Sequence, residues 1–271
     1  MFEQTQVGFI GGGNMGEALI KGFLASALLP PNKILVYDVS QERMQHLAAA
    51  YGIVLERDIP SLVSSCQILI LAVKPQVMQT VLQAMRPHLG HAPLVISIAA
   101  GIPLGVLTNG LPVDLPIVRV MPNTPALVLQ GASALSRGPS VTDLHMAQAL
   151  KLFQAVGKAM EVEEKWMDDV TGLSGSGPAY FLLLIEGMID AGVLMGLPRP
   201  IARELVLQTA KGSVEMLFDT GKHPAELKDM ITSPGGTTIR GLAILEEQGV
   251  RGALMRAVEA ATLRSQELGK G

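Results

Sequence analysis

The spacing of apolar residues divides the chain into an alternating first part and a helical second part. In the first part, short runs rich in Ile, Leu and Val are separated by helical segments. Near-continuous apolar runs are typical of strands in a parallel sheet that is covered on both faces. The runs predict strands at Val7–Ile10, Lys33–Asp38, Ile68–Val73, Leu94–Ala99 and Ile117–Met121. This alternation predicts an α/β fold with an N-terminal Rossmann-type, doubly wound sheet.

Two weaker strand signals follow before the pattern changes. Ser133–Ser136 and Ala159–Val162 flank a predicted helix over Asp143–Val156. Further along, apolar residues recur only at helical spacing, which predicts an all-α region. We therefore expect a dinucleotide-binding domain over residues 1–163 and an all-α C-terminal dimerisation and substrate-binding domain over residues 164–271.

The most apolar segment, Ala179–Leu197, bears on how the chain assembles. Its large side chains surround more than one helical face, which packing within one subunit would leave partly uncovered. The segment also carries Glu186 and Asp190, so we interpret it as a helix buried between subunits and not as a membrane span. The sequence thus predicts a homodimer through the helical domain, with no membrane partner.

Composition and charge are those of a soluble enzyme. The chain of 271 residues is 48% hydrophobic and 17% charged, with a net charge of −3 that gives no reason to expect a nucleic-acid partner. The single cysteine, Cys66, excludes an internal disulfide and fits a reducing compartment. With no basic segment and signal core at the start, we expect a cytoplasmic protein.

A glycine fingerprint follows the first predicted strand. The motif Gly11-x-Gly13-x-x-Gly16 leads directly into a helical pattern, which is the context that dinucleotide binding requires. In that reading Gly11 allows the tight turn, Gly13 lets the pyrophosphate approach, and Gly16 lets the helix pack on the strand. Asp38 ends the second strand at the expected distance. The cofactor residues predicted here are Ile10, Gly11, Gly13, Asn14, Met15, Gly16 and Asp38.

Further candidates leave the carboxyl ends of later strands, where ligands bind in doubly wound sheets. Lys74 is open to two interpretations, a phosphate ligand or a solvent-exposed side chain. The small residues before and at Gly101 leave room for the nicotinamide ribose, or they form a plain turn. Asn123 is either a rigidly held polar residue at the mouth of the active site or a residue that only forms a turn. The candidates in this group are Ala72, Val73, Lys74, Pro75, Ala99, Ala100, Gly101 and Asn123.

A second glycine loop interrupts the helical region. Ser233-Pro234-Gly235-Gly236-Thr237-Thr238 precedes a predicted helix, so its N–H groups would meet an anion at a helix N-terminus. A small carboxylate beside a group that needs a hydrogen bond would suit this loop, and a plain turn with a threonine cap is the alternative. The substrate candidates are Ser233, Gly235, Gly236, Thr237 and Thr238, with Thr238 as the catalytic residue.

Metal and nucleophile chemistry find no support in the sequence. The five histidines are scattered without the spacing of metal ligands, so we predict no metal site. No local motif assembles a Ser/His/Asp or Cys/His set either. Hydride transfer needs orientation more than a protein nucleophile, because the cofactor carries the reactive chemistry.

Six blocks run in order across almost the whole chain, namely Gly8–Gly16, Ala72–Pro75, Ala99–Gly101, Met121–Pro125, Thr171–Ala179 and His223–Thr238. With these blocks the chain resembles pyrroline-5-carboxylate reductase, an enzyme of proline biosynthesis. The last block is the most specific, since the first is shared with many dehydrogenases.

The resemblance implies reduction of 1-pyrroline-5-carboxylate to proline by hydride transfer from NAD(P)H. It implies that the second glycine loop holds the substrate carboxylate and that Thr238 hydrogen-bonds the ring nitrogen. It also implies interlocking dimers, which in the family often assemble into a decamer.

Cofactor choice stays open at the residue level. Asp38 favours the free 2′-hydroxyl of NAD(H), whereas Ser40 and Arg43, with Lys33 more distant, would receive a 2′-phosphate if Asp38 turned away. The resemblance favours NADP(H) slightly, and NAD(H) is the alternative.

Two other functions compete with this one. A β-hydroxyacid-type dehydrogenase shares the two-domain plan but relies on a lysine of the helical domain, for which Lys211 and Lys228 are the candidates. A non-catalytic dinucleotide-binding module would need no carboxylate loop. The intact second glycine loop counts against that module.

Overall fold

The computed structural model describes residues 2, 4–112 and 114–269 and divides them into two compact units. The first unit comprises Met1–Ser176 with Ala260–Gly271, and the second comprises Gly177–Glu259.

The first unit is built on one eight-stranded sheet with the order β3-β2-β1-β4-β5-β6-β7-β8. All neighbouring strands are parallel except β6 and β7, which are antiparallel. The strands are β1 (Val7–Ile10), β2 (Ile34–Tyr37), β3 (Val54–Leu55), β4 (Ile68–Leu71), β5 (Leu94–Ser97), β6 (Ile117–Met121), β7 (Gly131–Arg137) and β8 (Gly157–Glu161).

Helices cover this sheet on both faces, as the continuous apolar strands require. Within β1, Phe9 packs into one core cluster with Phe23 and Phe153, while the adjacent Ile10 packs into the opposite cluster with Leu69. The helices of this unit are α1 (Asn14–Ala25), α2 (Gln41–Tyr51), α3 (Ile59–Ser65), α4 (Met78–Met85), α5 (Leu104–Gly110), α6 (Asp143–Gln154) and α7 (Met167–Val170). The predicted Rossmann-type, doubly wound α/β fold is confirmed.

The described residues of the second unit form helices joined by loops, so the predicted all-α character of this region is also confirmed. Its helices are α8 (Gly177–Leu194), α9 (Arg199–Thr220), α10 (Pro224–Met230), α11 (Thr237–Glu247) and the first part of α12 (Val250–Gly269).

The packing units divide the chain later than the predicted domain boundary. Residues 164–176 belong to the first unit, and so does the end of α12. Ser265 in that end is buried and donates a hydrogen bond of 2.7 Å to Asp168. The division into domains 1–163 and 164–271 stays a prediction about separable domains.

One helical stretch, Glu164–Leu194, is long and apolar enough to cross a membrane by length and composition alone. Only 6% of its most apolar window is buried within the chain. Leu182 and Leu183 are 64% and 68% exposed on α8. The helix therefore presents apolar side chains that the single chain leaves uncovered.

Candidate active site

The first glycine turn connects β1 to α1, and two of its glycines are required by close packing. Gly11 has φ +100°, and a Cβ there would lie 2.6 Å from the carbonyl oxygen of Ala72. A Cβ on Gly16 would lie 2.9 Å from the carbonyl oxygen of Gly11. The turn is thus pressed against the end of β4 and against the first turn of its own helix, which leaves no room for a side chain at either position.

Gly13 differs, because it faces open space. A Cβ at this position would meet no atom within 4 Å. Gly13 is also the N-cap of α1, and no side chain among the described residues caps that helix. The first N–H groups of a helix have no partner within it and attract anions. An open, uncapped helix start after β1 fits the pyrophosphate of a dinucleotide.

Asp38 and Arg43, the sequence candidates for the 2′ position, both turn toward this glycine turn. Asp38 Oδ2 accepts from the N–H of Gly12 at 2.7 Å, and its Oδ1 accepts from the N–H of Ser40 at 2.8 Å. Arg43 donates from Nε to the carbonyl oxygen of Gly12 and from Nη2 to Glu17. Both side chains therefore hold the turn itself.

The predicted segments after β4 and β5 lie beside the glycine turn. The N–H of Ala72 donates to the carbonyl oxygen of Ile10 at 2.9 Å, which joins the two strand ends. Lys74 is exposed and begins a short 3-10 turn at Pro75. Gly101 has φ +71°. Since β1, β4 and β5 are parallel neighbours, the structure brings residues 10–16, 72–75 and 99–101 together at the carboxyl ends of these strands.

Asn123 is held on both sides of its amide. Its Oδ1 accepts from the N–H of Ala132 at 2.8 Å, and its Nδ2 donates to the carbonyl oxygen of Ser174 at 3.1 Å. Ser174 lies in a π-helical turn over Thr171–Gly175. Such turns recur at functional sites. In this structure Asn123 links β7 to that turn, and its role as a cofactor ligand stays a prediction.

The structure contains a buried ion-pair network that the sequence pattern does not predict. Arg119 in β6 is only 4% exposed and donates to Glu164 Oε1 at 2.7 Å, with Asp168 Oδ1 3.8 Å from the guanidinium. The same Glu164 oxygen accepts from the N–H of Leu104, the first residue of α5. The network thus fixes the helix that follows the Ala99–Gly101 segment. The available signal was one arginine inside an apolar strand.

In the second unit, the Ser233–Thr238 loop forms a tight turn before α11. The N–H of Gly236 donates to the carbonyl oxygen of Ser233 at 3.1 Å, and Gly235 has φ +68°. Pro at the second position and Gly with positive φ at the third are the pattern of a type II turn. The Gly236 N–H is therefore engaged within the turn.

The start of α11 offers the remaining donors of this loop. Gly236 is the N-cap, and no described side chain caps the helix. Thr237 and Thr238 occupy the first two helical positions, with Thr237 exposed and Thr238 half-buried. Their N–H groups and hydroxyls are thus placed to receive a small anion and to hydrogen-bond a group beside it.

In the described part of the chain, no three His, Cys, Asp or Glu residues cluster as metal ligands would. Burial, with a smaller effect of Glu56, raises the pKa of the Cys66 thiol to about 12, so Cys66 is a poor nucleophile.

Known proteins of one family match both the part of the chain with the first glycine turn and the part with the Ser233–Thr238 loop. Residues 164–268 match the family model described as pyrroline-5-carboxylate reductase dimerisation, and residues 6–101 match one described as NADP oxidoreductase, coenzyme F420-dependent. The pyrroline-5-carboxylate reductase of Synechocystis sp. is 46% identical over 98% of both chains.

Solved structures agree along the whole length. The Plasmodium falciparum pyrroline carboxylate reductase with NADP bound is 37% identical, with a TM-score of 0.91 over 98% of this chain and 99% of that one. The Coxiella burnetii pyrroline-5-carboxylate reductase is 32% identical, with a TM-score of 0.93 over 99% of this chain and 100% of that one. On this full-length identity and shared fold, the chain belongs to the pyrroline-5-carboxylate reductase family.

Proposed function

We propose that this protein reduces 1-pyrroline-5-carboxylate to proline with NAD(P)H as the hydride donor. The family membership carries this proposal, because it spans both the nucleotide turn and the helical region with the second glycine loop. The open N-terminus of α1 and the uncapped N-terminus of α11 are two anion-receiving ends, as a dinucleotide and a carboxylate substrate require.

The nucleotide would be held at the carboxyl ends of β1, β4 and β5, where residues 10–16, 72–75 and 99–101 lie. The N–H groups at the start of α1 would receive the pyrophosphate, and Gly13 leaves the room that its approach needs. A nicotinamide cofactor supplies the hydride when bound. The small residues Ala99 and Ala100 leave the ends of the strands clear of bulky side chains.

The substrate carboxylate would be received by the start of α11. The N–H groups of Thr237 and Thr238 are the donors there, because the N–H of Gly236 is engaged in the turn. Ser233 adds a hydroxyl at the other end of the turn. Gly235 is required by its positive φ, which an L side chain would strain.

The chemistry of the imine defines what Thr238 must do. Hydride adds to the carbon of the C=N bond, and the electron pair of that bond passes to nitrogen, which carries the proton of the iminium form as an N–H. The Thr238 hydroxyl accepts or donates a hydrogen bond at this nitrogen and stabilises it as it becomes an amine. No strong acid or base is needed at this step.

We infer a slight preference for NADP(H), with NAD(H) as the alternative. An acid at the end of β2 disfavours a 2′-phosphate when its carboxylate faces the ribose. Both oxygens of Asp38 instead accept backbone N–H groups, which supports tolerance of the phosphate. The Plasmodium relative with NADP bound supports the same preference.

We infer that two copies pair through α8. The chain carries the dimerisation region of the family, and the exposed leucines of α8 supply an apolar surface that a second copy would cover. Assembly of such dimers into a decamer, and location in the cytoplasm, are proposed on the family resemblance.

The test follows NADPH absorbance with 1-pyrroline-5-carboxylate, and with 3-hydroxy acids plus NADP⁺ as the competing substrates. Thr238→Ala should lower kcat roughly tenfold or more, since one hydrogen bond that strengthens in the transition state is lost. Thr238→Ser, which keeps the hydroxyl, is the matched control and should retain most of the activity. Oxidation of 3-hydroxy acids without imine reduction would reject the proposed reaction, and a folded Thr238→Ala with unchanged kcat would reject the role of Thr238.

A further inference from the structure

Gly12, the middle glycine of the first turn, is held by side chains through both of its backbone polar groups. Its N–H donates to Asp38 Oδ2 at 2.7 Å, and its carbonyl oxygen accepts from Arg43 Nε. Gly12 is also buried, and a Cβ there would lie 2.6 Å from Leu47 Cδ1. The end of β2 and the first turn of α2 thus grip this one peptide segment.

Glu17 on α1 holds Arg43 in place from the other side. It pairs with Arg43 Nη2 and accepts from the Tyr51 hydroxyl at 2.9 Å, with His46 Nε2 at 3.3 Å. Burial works against the charged form of Glu17, but the hydrogen bonds from Arg43, Tyr51 and His46 outweigh it and lower the pKa of this carboxyl. Glu17 is therefore ionised at neutral pH and balances the charge of Arg43.

We propose that Arg43, fixed by Glu17, is a positioning residue that locks Gly12 and so presents the turn to the pyrophosphate. In this role Arg43 serves NADPH and NADH equally and does not select the 2′-phosphate. The inference rests on the proposed function, since it assumes that the turn receives a nicotinamide dinucleotide.

The geometry favours this role over that of a phosphate ligand. A guanidinium that recognises a phosphate presents two donors to it as a fork. In Arg43, Nε and Nη2 are already engaged by Gly12 and Glu17, and the neighbouring carboxylate offsets the positive charge. Turning this Nε–Nη2 edge of Arg43 toward a 2′-phosphate would release both partners.

The first experiment compares Arg43→Met and Arg43→Lys with the exposed control Arg57→Met, whose side chain is 85% exposed. For Arg43→Met, KM should rise about tenfold for NADPH and for NADH alike, with kcat nearly unchanged, as expected for loss of a charge-assisted hydrogen bond. Arg43→Lys should restore little, because one ammonium cannot reach both partners in this geometry. The control should match the wild type.

A second experiment separates the two ends of the nucleotide with fragments. Both fragments contain adenosine, but ADP carries the pyrophosphate without a 2′-phosphate, and adenosine 2′-monophosphate carries the 2′-phosphate without a pyrophosphate. As inhibitors competing with NADPH, ADP should bind Arg43→Met about tenfold more weakly, in line with the loss of one charge-assisted hydrogen bond, while adenosine 2′-monophosphate should bind it as it binds the wild type.

The opposite pattern overturns the inference. If Arg43→Met weakens adenosine 2′-monophosphate and NADPH but spares ADP and NADH, or if Arg43→Lys regains NADPH affinity alone, Arg43 is a 2′-phosphate ligand. A fall in kcat with unchanged KM would show that Arg43 only supports the fold and also overturns it. If Arg43→Met does not fold, Glu17→Gln takes its place, with the same KM pattern expected.

Failure of the proposed function is distinguishable, because it would appear in the wild type. A wild-type protein that binds neither nucleotide, measured by the fluorescence of NADPH and NADH, would overturn both proposals. Binding by the wild type with the opposite variant pattern would overturn the role of Arg43 alone.

Discussion

Replacing the buried Arg119 with methionine is expected to destabilise the first unit by about 2–3 kcal/mol. Removing one partner of a buried ion pair costs about 3–5 kcal/mol, because the other charge is left uncompensated. Here the side chains of Glu164 and Asp168 are 34% and 30% exposed, so water takes over part of the loss, although Glu164 Oε2 itself is buried. Methionine keeps the length and fills the space among the neighbouring strands.

Thermal unfolding measures this effect. A change of 1 kcal/mol shifts Tm by about 2–4 °C in domains of this size, so Arg119→Met should lower Tm by about 5–10 °C. The matched control is Arg137→Met on the adjacent strand β7. Arg137 also pairs with two carboxylates, Glu161 and Asp143, but its side chain is 39% exposed, and we expect a much smaller shift.

A double-mutant cycle isolates the pair itself. Glu164→Gln removes the charge but keeps an oxygen for the N–H of Leu104. If Arg119 and Glu164 stabilise each other, the double variant should lose clearly less stability than the sum of the single variants. Strictly additive losses, or a Tm for Arg119→Met no lower than that of Arg137→Met, would refute the assignment of this network.

Three further outcomes are expected. Gly13→Val should lose dinucleotide binding, measured by NADPH fluorescence, because the new side chain occupies the space that the pyrophosphate needs. Its Tm should be nearly unchanged, because the side chain meets no other atom of the protein. Tight NADPH binding by this variant would mean that the first glycine turn does not bind the cofactor. Leu184→Asp should yield monomers in light scattering and lose activity together, whereas an active dimer would mean that α8 pairs elsewhere. Cys66, with its pKa raised to about 12 by burial, should stay protonated at pH 8 and react with a thiol reagent only after unfolding; rapid labelling of the native protein would contradict its buried position.

The sheet was predictable where strands are buried on both faces. β1 lies between β2 and β4, and its residues are all buried, so its apolar run was unambiguous. The sequence pattern did not predict β3, because this strand has two residues and both are exposed. Near the other edge, β7 begins at Gly131, earlier in the chain than the predicted Ser133, because the packing of Gly131 on Gly157 leaves no apolar signal.

The site was predictable in position more than in contacts. The sequence places Asp38 at the end of β2, but its partners are backbone N–H groups, one of them at Gly12, 26 residues earlier in the chain. Which way a carboxylate turns depends on how closely the two strand ends approach, and spacing along the chain carries no information on that. The same holds for Asn123, whose amide links two segments that a sequence pattern treats as unrelated.

Two ion pairs mark where the first unit needs rigidity. Arg43 and Glu17 tie together α2 and α1 around the first turn, and Arg119 and Glu164 tie β6 to the segment that caps α5. Each pair lies next to a loop of small residues, which has few side chains of its own to hold its shape. A loop that must leave room for a ligand cannot be fixed by filling that room, so its support has to come from polar contacts on the far side. The sequence shows such support at Arg119, as an arginine inside an apolar strand, whereas the contact of Arg43 with Gly12 joins positions far apart in the chain and becomes visible only in the fold.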